Sequence, residues 1–151
     1  MDLLQKKIQP PGLSDLLGGK LLLNASIKNY YDLILLSRVG ISKASAESVI
    51  SFTGMSKKNF VEDVLNLSIK TLERKQDSDK LDKRTSSLVI EVARVLEHTY
   101  RVFIDKEKVQ RWLSKPNNAL HGESPIFLFS TPTGIGMVED VLTRIEEGVY
   151  S

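Results

Sequence analysis

Few residues in this 151-residue chain are equipped for bond-breaking chemistry. Cysteine is absent, which excludes thiol nucleophiles, thiolate metal sites and disulfides. The two histidines, His98 and His121, have no second ligand at metal spacing beside them. Neither falls into a serine–histidine–carboxylate order. Both read as solvent-exposed or core-edge side chains, so no catalytic residue and no metal ligand is assigned. The 19 carboxylates sit on helix faces balanced by 21 lysines and arginines, the composition of a solvated surface. The expectation is a protein that binds rather than catalyses, with no cofactor.

Binding potential concentrates in a few stretches. In NFVEDVLNLSIKTLERK, residues 59–75, two short helical segments flank a three-residue break at Asn66-Leu67-Ser68. That is the form of a helix-turn-helix. Val61, Val64, Leu67 and Leu72 would lock the two helices together. Ser68, Lys70, Thr71, Arg74 and Lys75 would then point outward, where hydroxyls and cations reach base edges and phosphates. Glu73 slightly weakens that basic face. The same pattern also fits a plain helical hairpin with a solvated basic side. In STPTGIGMVEDVL, residues 130–142, Gly134 and Gly136 precede a helix and suggest a phosphate cradle. No Lys-Ser or Lys-Thr follows, however, and capping by Ser130 or Thr131 before Pro132 explains the pattern equally. The ending RIEEGVYS stops a helix at Gly148 and leaves Val149, Tyr150 and Ser151 as a short tail. It is either frayed or a plug whose aromatic ring and terminal carboxylate enter a partner's pocket.

The elements that position these stretches are helical almost throughout. Residues 1–25 form a lead-in broken by Pro10-Pro11-Gly12 and Gly18-Gly19. Ile27, Tyr30, Tyr31, Ile34 and Leu35 share one helical face, read here as apolar and core-facing, up to a stop at Gly40. Ser42 or Ser45 caps a second helix carrying Ala46, Val49 and Ile50, closed by Gly54. Ser56 caps SKKNFVEDVL, and Ser68 caps IKTLERK. Residues 76–84 form a solvated, charge-balanced turn. A long helix follows, with Leu88, Val92, Val95, Leu96, Thr99 and Phe103 at i, i+3, i+4 and i+7 steps. Asp105 caps a helix with Val109, Trp112 and Leu113 on one side. The last helix runs from about Pro132 to Glu147, with Val138, Val141, Leu142 and Ile145 as its stripe. Alternation typical of a strand never exceeds four residues, Ile126 to Phe129 being the nearest, so the fold class is all-α.

Composition sets the remaining bounds. Hydrophobic residues make up 41% and charged residues 26%, ordinary for a soluble globular chain of one domain or two small ones. No apolar run approaches the roughly 20 residues that cross a bilayer. MDLLQKKIQPPG lacks the pattern of a signal peptide, so a cytoplasmic location with no membrane partner is expected. A net charge of +2 leaves any nucleic-acid contact to local clustering of Lys and Arg.

The stretch WLSKPNNALHGESPIFLFSTPTG, residues 112–134, completes a longer pattern. Phe103, Asp105, Trp112-Leu113, Pro116-Asn117, Ala119-Leu120, Gly122, Pro125, Thr131, Gly134, Val138, Leu142, Ile145 and Gly148-Val149-Tyr150 follow in fixed order and spacing. This pattern resembles the toxin-binding domain of the Xre/MbcA/ParS antitoxin family. Upstream, LSIKTLERK followed by a long helix is similar to the family's Xre-like helix-turn-helix, so the likeness covers about residues 40–151. It implies an N-terminal extension at 1–40, an Xre-like helix-turn-helix region at 41–84 and a toxin-binding domain at 85–151. It further implies the antitoxin of a type II toxin–antitoxin pair. Its partners would be a RES-domain toxin that destroys NAD, an operator DNA repressed by the antitoxin, and a second copy in a homodimer. Toxin contact would fall to Arg144, Glu147, Gly148, Val149, Tyr150 and Ser151. Operator contact would fall to Ser68, Lys70, Thr71, Arg74 and Lys75. His121 where glycine is common, the aromatic Phe127-Leu128-Phe129 and an arginine-poor recognition segment depart from the family pattern. The alternative is a free-standing helix-turn-helix regulator whose C-terminal domain binds something else.

Overall fold

The computed structural model describes residues 9–23 and 26–148. The proposed plug residues Val149, Tyr150 and Ser151 lie outside the described residues, as does the start of the lead-in. Helices run in the order α1 (Leu13–Leu16), α2 (Lys20–Leu23), α3 (Tyr30–Val39), α4 (Lys43–Thr53), α5 (Lys57–Asn59), α6 (Ile69–Glu73), α7 (Lys83–Phe103), α8 (Lys106–Ser114) and α9 (Pro132–Glu146). No strand forms among the described residues, only two isolated bridges, Ser42 with Lys80 and Asn117 with Glu123. The all-α expectation holds.

The long helix α7 is the axis, packed against α1, α3, α4, α8 and α9. Asp82 starts it by accepting from the Thr85 backbone N–H at 2.7 Å. That backbone donor holds the Asp82 carboxyl below the usual carboxylate range. Val89, Val92, Ala93, Val95, Leu96 and Tyr100 are buried, while Leu88 and Phe103 only flank the core. Burial of these side chains along one 21-residue helix contributes hydrophobic stabilisation to every element that packs on it. At its end Ile104 adopts φ 64°, and Asp105 N–H donates to Phe103 O at 2.6 Å, a tight and strained reversal. The chain thereby turns back into α8, whose Trp112 lies 5.2 Å from the Phe103 ring between centroids. Val109 and Leu113 of the same helix are fully buried.

The expected buried face of α3 is reversed. Leu33 is buried, whereas Tyr30, Tyr31, Ile34 and Leu35 are exposed. The segment YYDLILLSRV has apolar residues on more than one side, so periodicity alone leaves open which stripe meets α7. The lead-in is also more ordered than its turn signals imply. It forms α1 and α2, and Leu16, Leu17 and Leu23 enter the core.

The expected regular helix over SKKNFVEDVL is corrected too. Ser56 caps it, accepting from Asn59 N–H at 3.2 Å, but after one α-helical turn Phe60–Val64 widen into a π-helix. Leu65 N–H donates to Phe60 O at 3.1 Å and Leu67 N–H to Val61 O at 3.0 Å. Phe60, Val61, Val64 and Leu65 all enter the core from this wider turn. Asn66, at φ 54°, ends the element in the left-handed conformation that asparagine tolerates.

Candidate functional site

Two surfaces carry the residues singled out from the sequence. The first is α9. Thr131 caps it, accepting from Gly134 N–H at 3.0 Å, with Pro132 in its first turn. A Cβ on Gly134 would stand 2.0 Å from Leu128 O, so only glycine lets the 3-10 segment Pro125–Ser130 lie this close to α9. Packing and capping therefore account for Gly134. Gly136 faces open space. The 3-10 segment buries Ile126 and Phe129 and partly buries Leu128, while Phe127 of the FLF motif is half exposed.

Val138, Val141 and Leu142 are buried, and α9 packs chiefly on α7. At this seam His98 is 7% exposed, which corrects its reading as a surface or core-edge residue. His98 Nδ1 hydrogen-bonds the Glu139 carboxylate, and Nε2 lies 3.0 Å from Glu146 Oε2 without hydrogen-bond alignment. Arg101 Nε donates to Glu146 Oε1 at 3.3 Å. The His98 contact, with help from Arg101, holds the Glu146 carboxyl below its ordinary range. Glu139 and Glu146 are two turns apart on α9 and straddle the imidazole, fixing the helix in rotation as well as position. A sequence signal existed: both glutamates border the apolar stripe Val138, Val141, Leu142 and Ile145. What it lacked was their partner on another helix. His121, by contrast, is exposed and in the left-handed conformation at φ 59°.

The opposite side of α9 presents Asp140, Thr143, Arg144 and Glu147 to solvent. Gly148, at φ 68°, donates to Ile145 O at 3.2 Å and closes the helix as expected. Of the six residues assigned to toxin contact, Arg144, Glu147 and Gly148 thus lie together and exposed at the end of α9.

The second surface is the α5–α6 unit. Val61, Val64 and Leu72 are buried and Leu67 partly so, as the helix-turn-helix and the plain-hairpin readings both require. Ser68, Lys70, Thr71 and Arg74 are exposed. Ser68 sits at the cap position but its hydroxyl makes no cap bond, leaving it free for another partner. Lys75 is only half-exposed, and its carbonyl accepts from Lys43 Nζ at 2.9 Å. The regular helix is short, Ile69–Glu73, because Arg74 and Lys75 belong to its closing turn.

Glu73 proves to be structural rather than a blemish on the basic face. Its carboxylate takes Lys57 Nζ at 2.7 Å and lies 3.9 Å from Lys43 Nζ, while Glu47 reaches Lys57 at 3.5 Å and Lys43 at 3.7 Å. This alternating cluster ties α4, α5 and α6 together. Lys57 pulls the Glu73 carboxyl down, and Glu73 raises the Lys57 ammonium above its usual range. Among the described residues, no group of three or more histidine or carboxylate side chains converges as a metal site. None of the described helices is long and apolar enough to cross a membrane.

Comparison with known proteins meets this geometry at α9. Residues 98–148, from the His98 anchor to the closing Gly148, match the family model described as the Antitoxin Xre/MbcA/ParS C-terminal toxin-binding domain. The chain is also 30% identical over 83 residues to a protein of Pseudomonas putida (strain KT2440) named Antitoxin Xre. That similarity covers 54% of this chain and 52% of the relative, about half the length of each. Through its α7–α9 unit, then, the chain is similar to the Xre/MbcA/ParS antitoxins over its C-terminal third.

Proposed function

We propose that this chain is the antitoxin of a toxin–antitoxin pair. Its C-terminal unit binds a RES-domain toxin that degrades NAD and occludes the toxin's active site. The observation that carries this reading is the coincidence of the matched toxin-binding domain with a rigidly anchored α9. Arg144, Glu147 and Gly148 stand exposed at its end, and Val149, Tyr150 and Ser151 continue from there. A helix held by Gly134 packing and the His98 contacts loses little conformational freedom on docking, which favours tight inhibition. Mechanism is occlusion: α9 positions the segment after Gly148, and Tyr150 supplies an aromatic ring to fill a cofactor pocket.

Co-expression tests it. Cells carrying the RES-type gene should survive with the full chain and die with a chain truncated after Glu147. Full protection by the truncated chain would remove the tail from the mechanism, and no protection by the full chain would refute the pairing.

The finer proposal for the α5–α6 unit is autoregulation of the operon. Ser68, Lys70, Thr71 and Arg74 form an exposed polar and cationic face suited to the major groove, with Lys75 at its edge. Regions 1–40, 41–84 and 85–151 then divide the labour as extension, operator contact and toxin contact, in a homodimeric protein of the cytoplasm. Arg74→Ala should weaken an operator gel shift while leaving toxin neutralisation intact. An unchanged shift would take this face out of the DNA contact.

A further inference from the structure

A cavity of about 850 Å³ opens where three parts of the fold meet. Val64, Leu65 and Leu67 wall it from the turn before α6, Leu88 from α7, and Pro132 and Ile135 from the start of α9. Its volume lies within the range of small-ligand sites, and so does its make-up of apolar walls with a few polar groups at the rim. Leu67 and Leu88 are only half-buried there. Apolar side chains beside a void forgo dispersion contacts that a filling molecule restores. The backbone at this wall is also unusual. The π-helix Phe60–Val64 ends on the cavity, and Asn66, at φ 54°, lines it two residues later. Single π-turns and positive-φ residues both recur at ligand sites.

The rim selects the charge of the occupant. Two carboxylates border the cavity, and both already have partners. Asp82 accepts from Thr85 N–H at 2.7 Å and from Thr85 Oγ1 at 3.0 Å. Glu91 accepts from Arg94 with each oxygen at 3.2 Å. Two cations, Lys83 and Arg84, border it as well. Both are exposed, and neither enters an ion pair among the described residues. The charge left uncommitted at the rim is therefore positive.

We infer that this cavity is an effector site for a small amphipathic anion, a free molecule with a carboxylate or phosphate head and an aliphatic tail. The tail lies on Leu67, Leu88 and Ile135, and the head meets Lys83 and Arg84. Walls contributed by three elements surround a small molecule, whereas a docking helix needs an open groove. One bound molecule would touch both the turn that precedes α6 and the first turn of α9. Occupancy would thereby couple those two units. That consequence, though not the binding itself, rests on the operator and toxin readings above.

Calorimetric titration of the full chain with dodecanoate and with dodecyl phosphate, each below its micelle concentration, tests the site. At least one should bind as a single equivalent with a Kd under roughly 100 µM. Dodecyltrimethylammonium, with the same tail and the opposite charge, should bind about 10-fold more weakly or not at all. Arg84→Glu should weaken binding of the anion by about 10-fold, and Leu88→Trp should do the same by filling the cavity. Circular dichroism should leave Arg84→Glu as helical as the wild type because the side chain is exposed, so the test survives if Leu88→Trp misfolds. In amide NMR spectra the largest shifts on adding the anion should fall at Asn66, Ser87 and Ile135. Absence of saturable binding by both anions overturns the inference, and so does equal binding of the cationic amphiphile. An affinity unchanged in folded Arg84→Glu, or shifts centred on the α3–α7 groove, overturns the location. A cavity that becomes protected only when toxin is added, with no amphiphile bound, is a protein contact and also overturns the inference. Anion binding that leaves operator and toxin affinities unchanged would count against the coupling alone.

Discussion

The two surfaces assigned to partners are held in opposite ways. α9 is seated by apolar packing, a glycine that admits a neighbouring backbone, and one buried histidine between two carboxylates. α6 is five residues long, with Leu72 as its buried anchor, and is otherwise held by the Glu47, Lys57, Glu73 and Lys43 cluster. The apolar packing and the glycine contact that seat α9 are insensitive to salt; ion pairs partly open to water are screened by it. The apolar seat of α9 should therefore persist across solution conditions, while α6 should loosen as ionic strength rises.

The sharpest way to break this contrast is Gly134→Ala. The new methyl group meets a backbone oxygen rather than a flexible side chain, and the expected loss is about 2–3 kcal/mol in a thermal or urea melt. A variant melting like the wild type would mean that the 3-10 segment can retreat and that α9 is less tightly seated than described. Next in size is His98→Ala, expected to cost about 1–3 kcal/mol by leaving Glu139 and Glu146 without their shared partner. That variant should also neutralise toxin less well than Arg74→Ala does, and equal neutralisation would detach the anchor from function.

Acid should weaken both regions together. Glu146 is held below its ordinary range by His98, and Glu73 by Lys57. A depressed carboxyl binds its proton more readily in the unfolded chain. The stability it contributes is thus present above the unfolded value of about 4.3 and lost as pH falls through the folded one. Urea midpoints should be level from pH 7 to 5 and drop below pH 4; a flat profile to pH 3 would deny both carboxylates a role. A smaller effect of opposite sign is expected at Gly136, which has open space beside it in mid-helix. Gly136→Ala should add about 0.5–1 kcal/mol. Smallest is Glu73→Gln, a slight loss in dilute buffer that vanishes in 1 M salt. A loss that persisted there would show that the cluster acts through packing rather than charge.

Much of this architecture is legible in the sequence. Ser42, Ser56, Asp105 and Thr131 all cap where side-chain oxygens precede apolar periodicity, and α9 ends one residue from its expected limit. Capping and periodicity are local, so the residues that carry the information are neighbours in the chain. The exposure of Arg144, Glu147, Gly148 and most of the α6 side chains follows from helix phase once the helix is placed, whereas the toxin contact proposed for the first three comes from the family resemblance. The face of α3 was misjudged because YYDLILL is apolar on several sides and only α7 selects among them. The π-helix was invisible because its extra residue is stabilised by core contacts, not by propensity.

By itself, then, the sequence determined the helices, their caps, the absence of thiol chemistry and the spaced pattern that marks the C-terminal unit. Tertiary structure alone decided which stripe of each helix is buried, that His98 meets Glu139 and Glu146, and why Gly134 must be glycine. Those outcomes rest on partners distant along the chain: 41 residues separate His98 from Glu139. Local propensity carries no information about which distant group will fill the space beside a residue, and close packing does.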